Sequence, residues 1–464
     1  MPRSRVAHRS PVPAVAATVL LLASACGSGG GARDGAHTPT PQPAATPSAG
    51  PPSIAPSPSP STQASPSAGA LDQSFGDGGI VRGTVADRIT AVSDVTLEPG
   101  GGIVALAGVG DAEHPGTRSF ALLRHEASGA LDESFAAGGV AEHALCTAGD
   151  DACTEIQLRS ILALGDGRLL VLASETSGAP ESRLLVVTAD GALDGAFGDD
   201  GVLELPASLG QIVLAPDGAV VGAGRGADGF ALLRLTPDLA PDERLGPCGL
   251  RSVELIRDAA LQSFRHVAVQ PDGRILAGGV VDVGDVPAAV LARFTPDGEP
   301  DPTFADAGWL VGAPRADLFG GVSPDAGPIA VAKDGRILVE MPSAARTHRT
   351  IVRLLADGND DATWTRPSDA AVELFPRAGG GLLTVAARQV IDFGFVVSIH
   401  GVLRRFDDDG TVDRAFGADG ASALPLLDGG ATLAAGAARQ DDGKVVVACN
   451  HVGGRGWLLA RFLP

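Results

Sequence analysis

Short apolar runs of β-strand length alternate with turn signals along the chain from residue 69 to the C-terminus. Examples are FALLRH at 120–125, FALLRL at 230–235 and WLLARF at 457–462. Other apolar runs flank an Asp-Gly pair, as in AVQPDGRILAGG at 268–279, and this arrangement is a strong hairpin signal. The pattern contains no amphipathic helix, so it predicts an all-β chain of antiparallel strands.

A motif that reads GALDESFAAGGV at residues 129–140 recurs seven times, at intervals of roughly 48 to 62 residues. A period of this length is typical of propellers, solenoids and arrays. In every copy an Asp stands three positions before a bulky apolar residue. These pairs are Asp72 and Phe75, Asp132 and Phe135, Asp194 and Phe197, Asp242 and Leu245, Asp301 and Phe304, Asp361 and Trp364, and Asp413 and Phe416.

The motif residues have a structural interpretation. The Asp can fix a turn by bonding its own backbone two residues on, and the bulky side chain supplies an apolar anchor. A Gly four positions after the anchor permits positive φ in six copies, and Ser368 replaces it in the seventh. The strand before each motif carries an Arg in six of seven copies, with Val186 as the exception. We expect each Arg to pair with the Asp or with a neighbouring repeat.

Each repeat supplies four strands, which is the composition of a β-propeller blade. The chain ends at Pro464, just after the seventh Arg-bearing strand, so the last repeat lacks its motif and its fourth strand. Residues 69–81 are that missing piece. We therefore expect a seven-bladed β-propeller of four-stranded antiparallel blades, in which the N-terminal strand completes the last blade and removes the unpaired edges.

The repeat resembles the delta-60 repeat, a β-propeller repeat family found in large extracellular bacterial proteins. The residues that carry the resemblance are PDGRILAGG at 271–279, FALLR at 230–234 and LDQSFGDGG at 71–79. The resemblance covers everything after residue 68 and implies a propeller fold and a surface location. It brings no catalytic or ligand-binding residues. The copies at Asp242 and Asp361 depart from the family pattern.

The N-terminus has the features of an exported protein. Residues 1–26 combine three Arg with a short apolar run and end in LLASAC, which predicts a signal peptide and lipid attachment at Cys26. Cleavage at a neighbouring small residue without lipid is the alternative. Residues 27–68 are rich in Pro, Ser, Gly and Thr and cannot bury enough apolar surface to fold. They predict a disordered tether before a propeller domain at 69–464.

The remaining cysteines and histidines suggest little chemistry. Cys146 and Cys153 lie seven apart in an insertion, a spacing that predicts a local disulfide in an exported protein, and we expect Cys248 and Cys449 to be buried free thiols. The Asp-rich turns lack the ligand pattern of a calcium loop, so we expect no metal and no cofactor. His266 is the histidine nearest a predicted channel mouth, and we expect it to be packed or solvated.

Charge and composition limit the partners. A net charge of −20 disfavours nucleic acid, and 4% aromatic residues without Tyr weaken an aromatic hot spot. We expect a monomeric, non-enzymatic lipoprotein at the outer membrane or cell surface that binds an extracellular protein or polysaccharide. The alternatives are a hydrolase or lyase sited in the channel and a structural envelope component. Three or more convergent carboxylates, His or Arg at one end of the channel that break the sevenfold regularity would favour the enzyme, and a channel lined with small apolar residues would favour the scaffold.

Overall fold

The computed structural model describes most of the chain after residue 66, and residues 64–464 form one compact unit. The described residues are 67–83, 89–110, 119–145, 156–175, 181–256, 259, 261–284, 286–305, 307–312, 324–343, 348–392, 395–427, 429–452 and 456–464. The predicted signal peptide, Cys26, most of the predicted tether, Cys146 and Cys153 lie outside them. No helix among the described residues is long and apolar enough to cross a membrane.

The strands form seven separate antiparallel sheets, which are the blades of a propeller. The chain first forms β1 (Ile80–Gly83). Blade 1 contains β2 (Ile89–Leu97), β3 (Ile103–Val109), β4 (Ser119–His125) and β5 (Val140–Ala144). Blade 2 contains β6 (Ile156–Ala163), β7 (Leu169–Glu175), β8 (Ser182–Val187) and β9 (Val202–Leu205). Blade 3 contains β10 (Ser208–Leu214), β11 (Val220–Gly226), β12 (Gly229–Leu235) and β13 (Leu250–Val253).

The second half of the chain repeats this order. Blade 4 contains β14 (Gln262–Val269), β15 (Ile275–Asp282), β16 (Pro287–Phe294) and β17 (Trp309–Val311). Blade 5 contains β18 (Ile329–Val331), β19 (Ile337–Pro342) and β20 (Arg349–Leu354). Blade 6 contains β21 (Ala371–Pro376), β22 (Leu382–Asp392), β23 (Phe395–Phe406) and β24 (Ala421–Ala423). Blade 7 begins with β25 (Thr432–Arg439), β26 (Val445–His451) and β27 (Trp457–Phe462).

Blade 7 takes its fourth strand from the N-terminal end of the domain. β1 pairs antiparallel with β27, with Ile80 opposite Ala460 and Arg82 opposite Leu458. At the end of this ladder Gly83 lies against Trp457, and a Cβ at Gly83 would lie 1.8 Å from the indole ring. The predicted seven-bladed, all-β propeller, closed by the N-terminal strand, is thus confirmed.

Blade 5 is the one described blade that lacks a fourth strand. The Ile351 N–H donates a hydrogen bond to the Pro367 carbonyl at 2.9 Å, but the pairing extends no further as a ladder. Pro367 has no N–H to return to the neighbouring strand, and Ser368 stands where the other motifs have Gly. The Asp242 copy, which also departs from the pattern, nevertheless forms the complete four-stranded blade 3.

The first strand of each blade faces the propeller axis. Each first strand contacts the first strand of the next blade, in the order β2, β6, β10, β14, β18, β21 and β25, and β25 in turn contacts β2. The apolar cores lie between neighbouring blades. In the core shared by blades 3 and 4, for example, the rings of Phe230 and Phe264 stack with centroids 3.9 Å apart. Closure therefore gives every blade two neighbours.

The two ends of the blades differ in regularity. Leu97 at the end of β2 pairs with Ile103 at the start of β3, and Ile103 pairs with His125 at the end of β4. The Asp-Gly hairpin turns and the seven motif turns therefore lie at the same end of the blades, which we call the motif face. Every turn between the first and second strands has five residues. At the other end, the variable face, the connections from second to third strand range from two to nine residues.

The two described free cysteines differ from each other. Cys449 on β26 is buried, as expected, whereas Cys248 is exposed, so the expectation of a buried thiol at Cys248 is wrong. A three-residue 3-10 helix, Pro247–Gly249, replaces the ordinary motif turn in blade 3 and holds Cys248 at a positive φ of 58°. Its side chain consequently lies on the motif face.

Removal of residues 67–81 tests the closure. A fragment starting at Arg82 lacks half of β1 and the whole blade 7 motif, so we expect the edge of β27 to be unpaired. Its thermal unfolding midpoint should fall well below that of a fragment starting at Ser67, and proteolysis should be faster. An unchanged midpoint in calorimetry would contradict closure by the shared blade.

Candidate functional site

The seven motif Asp side chains fix their turns as the sequence predicts. In each copy Oδ1 accepts the backbone N–H two residues on, at distances from 3.0 to 3.2 Å. The acceptors are Asp72, Asp132, Asp194, Asp242, Asp301, Asp361 and Asp413. The motif Gly residues follow with positive φ, from 65° at Gly249 to 107° at Gly308. The predicted roles of Asp and Gly in the turn are therefore confirmed.

The second carboxylate oxygen of each Asp binds an Arg side chain. In six blades the Nε of the Arg on the third strand donates to Asp Oδ2 over 2.6 to 2.9 Å. The pairs are Arg124 with Asp132, Arg234 with Asp242, Arg293 with Asp301, Arg353 with Asp361, Arg405 with Asp413, and Arg461 with Asp72. We call each such pair a clasp, and the expected pairing is confirmed.

Blade 2, which has Val186 in place of the Arg, fills its clasp from the hairpin turn between β6 and β7. Nη1 of Arg168, which directly follows the Asp-Gly turn, lies 3.0 Å from Asp194 Oδ2. In blade 4 the equivalent Arg274 binds Asp301 in addition to the regular Arg, at 2.8 Å. A basic residue directly after Asp-Gly is thus the sequence signal that another Arg can replace the absent one of the third strand. The motif repeat by itself does not indicate this replacement.

Five of the clasps also contact an aromatic anchor, and four of these five donate a hydrogen bond to the next blade as well. The guanidinium groups of five clasps lie 4.5 to 4.9 Å from the centre of the aromatic anchor. Nη1 of Arg124 donates to the Ala189 carbonyl of blade 2 at 2.9 Å, and Arg461 of blade 7 donates to Ala127 of blade 1. The clasps therefore link successive blades, and their repetition marks them as structural.

Hydrogen bonds keep the clasp carboxylates ionised. Burial by itself would raise the pKa of Asp72, but the two hydrogen bonds from Ser74 and the charge of Arg461 outweigh it and hold the pKa at about 2. The same balance, with Thr303 and Arg293, holds the pKa of Asp301 at about 2. These carboxylates are charged at neutral pH, and their stabilisation is lost only as the pH falls from about 4 towards 2.

Replacement of the blade 7 clasp carboxylate tests its contribution. In Asp72→Asn, Arg461 loses its ionic partner in a buried position, so we expect the free energy of unfolding at pH 7 to fall by about 3–5 kcal/mol. The Asp72 side chain is 9% exposed, whereas that of Asp132 is 25% exposed. The matched variant Asp132→Asn should cost much less, because solvent screens this more exposed pair. Equal losses in urea denaturation would contradict this ranking.

The central channel, by contrast, breaks the sevenfold regularity. Six first strands contain a β-bulge, at Ser93, Arg159, Gly210, Arg265, Val372 and Ala435. The residue after the bulge occupies the same position in each strand, and we call these six residues the channel ring. They are Asp94, Ser160, Gln211, His266, Glu373 and Gly436. No two of them are the same residue type.

Three channel-ring side chains join successive blades. Asp94 Oδ2 accepts the Ile161 N–H at 3.1 Å, Ser160 Oγ accepts the Ile212 N–H at 3.3 Å, and Gln211 Oε1 accepts the Val267 N–H at 3.0 Å. Each of them consequently satisfies a backbone donor on the first strand of the next blade. Blades 7 and 1 are joined differently, because Asn450 forms two hydrogen bonds with the backbone of Val92, at 2.8 and 2.7 Å.

Two carboxylates of the channel ring approach each other across blade 7. Gly436 has no side chain there, and a Cβ at Gly436 would lie 2.4 Å from Asp94 Oδ1. Glu373, on the other side of this gap, forms no hydrogen bond or ion pair with a described residue. Burial and the charge of Asp94 raise the pKa of Glu373 to about 8. Burial, opposed by hydrogen bonds from Ile161 and Val95, raises the pKa of Asp94 to about 7.

Basic residues occupy another sector of the channel. Arg159 and Arg265 stand at the bulges of blades 2 and 4, separated by Gly210 of blade 3, and Arg265 Nε lies 2.6 Å from Asp325 Oδ2. Burial and the charges of Arg349 and Arg265 lower the pKa of His266 to about 4, so this half-buried imidazole is neutral at pH 7. The channel therefore has an acidic sector in blades 1 and 6 and a basic sector in blades 2 and 4.

The pH dependence of stability tests the state of Glu373. Because the folded protein keeps the Glu373 proton up to about pH 8 and the unfolded chain loses it near pH 4.5, stability should fall as the pH rises between these values. At pH 9, Glu373→Gln should stabilise the protein by about 2 kcal/mol, since a pKa difference of one corresponds to about 1.4 kcal/mol and channel water screens part of the effect.

At pH 5 the same variant should match the unmodified protein in urea denaturation. Glu133→Gln, which changes an exposed glutamate on the motif face, serves as the control and should show no such pH dependence. If Glu373→Gln had the same effect at pH 5 and pH 9, the carboxyl group would not be held protonated by the channel.

The described residues contain no group of three or more His, Cys, Asp or Glu side chains that could hold a metal ion. Burial raises the pKa of the Cys449 thiol well above its usual range, so this sulfur is not a ready nucleophile. The chemistry available in the channel is hydrogen bonding and proton exchange by Asp94, Glu373 and the neutral His266. No sequence feature marks the two carboxylates as a pair, because they belong to separate blades.

A match to one family model supports the propeller class. A family model described as a domain of unknown function (DUF5122) beta-propeller matches residues 270–304. The chain matches no curated protein. It is similar to the structure of a catalytically inactive virginiamycin B lyase from Staphylococcus aureus with quinupristin, at 11% identity, over 82% of this chain and 98% of that chain, with a TM-score of 0.44.

Two further solved structures are similar at the same level. Polysaccharide lyase Uly1 is 10% identical over 84% of this chain and 92% of that chain, with a TM-score of 0.46. Sqt1 from Chaetomium thermophilum is 14% identical over 81% of this chain and 96% of that chain, with a TM-score of 0.41. Likenesses this distant carry no argument about activity.

The class that the fold defines is thus a seven-bladed β-propeller repeat protein. The family match at residues 270–304 is consistent with a propeller family. The resemblance to the delta-60 repeat, the lipid attachment at Cys26 and the disulfide between Cys146 and Cys153 stay predictions.

Proposed function

We propose that the protein is an exported, lipid-anchored binding protein, non-enzymatic, whose variable face binds an extracellular protein or polymer. The observation that carries the proposal is where the chain enters the propeller. The Ala68 carbonyl accepts the Gly417 N–H at 3.0 Å, and the Gly69 N–H donates to Leu463 at 3.0 Å. Both contacts lie on the motif face, so a tether from Cys26 would join the propeller there and leave the variable face free of the attachment.

The structural difference between the motif face and the variable face supports the same function. The motif face carries the repeated clasps, whose charged groups already form bonds within a blade and, for four of them, to the next blade. The variable face carries connections of unequal length, and loops held by a rigid scaffold are where binding residues concentrate. Pro-rich chains extend by about 3.1 Å per residue, so residues 27–68 would keep the propeller clear of the membrane surface.

The exposed thiol of Cys248 allows an oriented test. A fragment of residues 64–464, biotinylated at Cys248 under non-reducing conditions and checked for a single label by mass spectrometry, should be immobilised with its variable face free. The control is Ala227→Cys in a Cys248→Ser background, which attaches the fragment through an exposed residue of the β11–β12 turn. Both surfaces are then exposed to solubilised envelope polymers and envelope proteins.

We expect retention of a ligand on the Cys248-linked surface and loss of at least tenfold on the Ala227-linked surface. Equal retention on both would contradict binding by the variable face.

The second candidate function is a channel enzyme, and the protonated Glu373 beside Asp94 is the observation that favours it. Two paired carboxyl groups with different protonation states can serve as acid and base. Depolymerised products that appear with the unmodified protein and vanish in Glu373→Gln would establish that function instead.

A further inference from the structure

A polar cavity lies on the variable face beside blade 3, apart from the central channel. Its volume is ≈ 330 Å³, and its walls include Arg225, Gly226, Asp228, Gly229, Glu254 and Gln262. This volume is near the lower end of the range for small-molecule sites, about 300–1,000 Å³. Neither the clasps nor the channel ring contributes a residue to it.

The local fold explains why the cavity forms here. β11 and β12 are joined by only Ala227 and Asp228, and the flanking glycines 226 and 229 pair directly with each other. Gly229 has a φ of 135°, and a Cβ there would lie 2.9 Å from the Val253 carbonyl. This tight, low hairpin leaves open space beside Gln262, the first residue of β14.

The cavity presents polar groups that the described residues leave without partners. Arg225 and Asp228 are exposed and form no hydrogen bond or ion pair with a described residue. The Gln262 side chain is 5% exposed, yet its Oε1 accepts no hydrogen bond within the described part of the chain. A buried amide without a partner is unfavourable, and such groups are rare in folded proteins unless water or a ligand satisfies them.

We propose that this cavity binds one saccharide unit of a neutral polysaccharide, an inference that rests on the proposed function of the variable face. The guanidinium of Arg225 donates, the carboxylate of Asp228 accepts, and the amide of Gln262 does both, which suits the hydroxyl groups of a sugar. The charges of Arg225, Asp228 and Glu254 sum to −1, so an anionic ligand is disfavoured.

A peptide fits the cavity less well. The apolar part of the wall consists of small residues such as Ala227 and Ala259, and it offers no pocket for the large side chains that anchor protein partners. The absence of an aromatic residue among the lining residues also means that hydrogen bonds, rather than stacking, hold the sugar. We therefore expect a dissociation constant in the millimolar range for a single oligosaccharide, and tighter binding of a polymer that engages several copies.

Titration calorimetry and ligand-observed NMR on the fragment of residues 64–464 test the proposal. The probes are cellohexaose, xylohexaose and mannohexaose, with oligogalacturonate as the anionic comparison and a mixed hexapeptide library as the peptide comparison. The variants are Gln262→Leu, which removes the amide, and Arg225→Ala with Asp228→Ala, which changes exposed side chains only. Arg82→Ala, an exposed substitution on β1, is the matched control.

We expect at least one neutral hexasaccharide to bind, at least tenfold weaker binding in Gln262→Leu and in the Arg225→Ala, Asp228→Ala double variant, and unchanged binding in Arg82→Ala. If Gln262→Leu fails to fold, the double variant alone decides. Binding that persists within twofold in the double variant, binding of peptides or oligogalacturonate alone, or no binding of any neutral probe would overturn the proposal. Retention of a ligand on the Cys248-linked surface in that case would leave the proposed function standing, whereas loss of retention would remove both.

Discussion

The pairing of β1 with β27 is the constraint on which the rest of the structure depends. Strand edges in an open row of sheets expose backbone donors and acceptors that invite pairing with other chains. In this protein the register from Ile80 and Ala460 to Gly83 and Trp457 closes the row, and Trp457 then joins the apolar core between blades 7 and 1. The cores, the channel and the two faces exist in their present form because the first and last blades become neighbours.

Two kinds of contact between blades follow from this closure, and they obey different rules. The clasps on the motif face repeat the same Asp, Arg and anchor, because the same turn must be built seven times. In the channel ring, by contrast, three different side chains, those of Asp94, Ser160 and Gln211, each reach the first strand of the next blade. The Asp–Arg pair of a clasp is formed by residues of one repeat, whereas each channel contact depends on two residues from different blades. Chemistry specific to this protein can therefore arise in the channel without disturbing the turns.

Sequence periodicity was sufficient to predict the number of blades, their closure and the clasp, because each of these depends on residues within one repeat or at the two ends. It failed at Arg168, where a guanidinium from the hairpin turn between β6 and β7 replaces the missing one opposite Asp194. It also failed at Cys248, where a 3-10 helix displaces the thiol to the surface. The carboxylates of Asp94 and Glu373 meet only through a glycine on a third blade, and no repeat pattern encodes such a meeting.

The position of Asp72 has a mechanical consequence. The predicted tether joins the propeller just before the blade 7 clasp, where Asp72 binds both Arg461 and Lys444, at 2.9 and 3.3 Å. Tension between a membrane anchor and a ligand held on the opposite face would act on this cluster of three charged residues before it acts on the β1–β27 ladder. Force on the tether would thus load the backbone hydrogen bonds of Ala68 and Gly69 and the ion pairs of Asp72 before it loads the strand pairing that closes the ring.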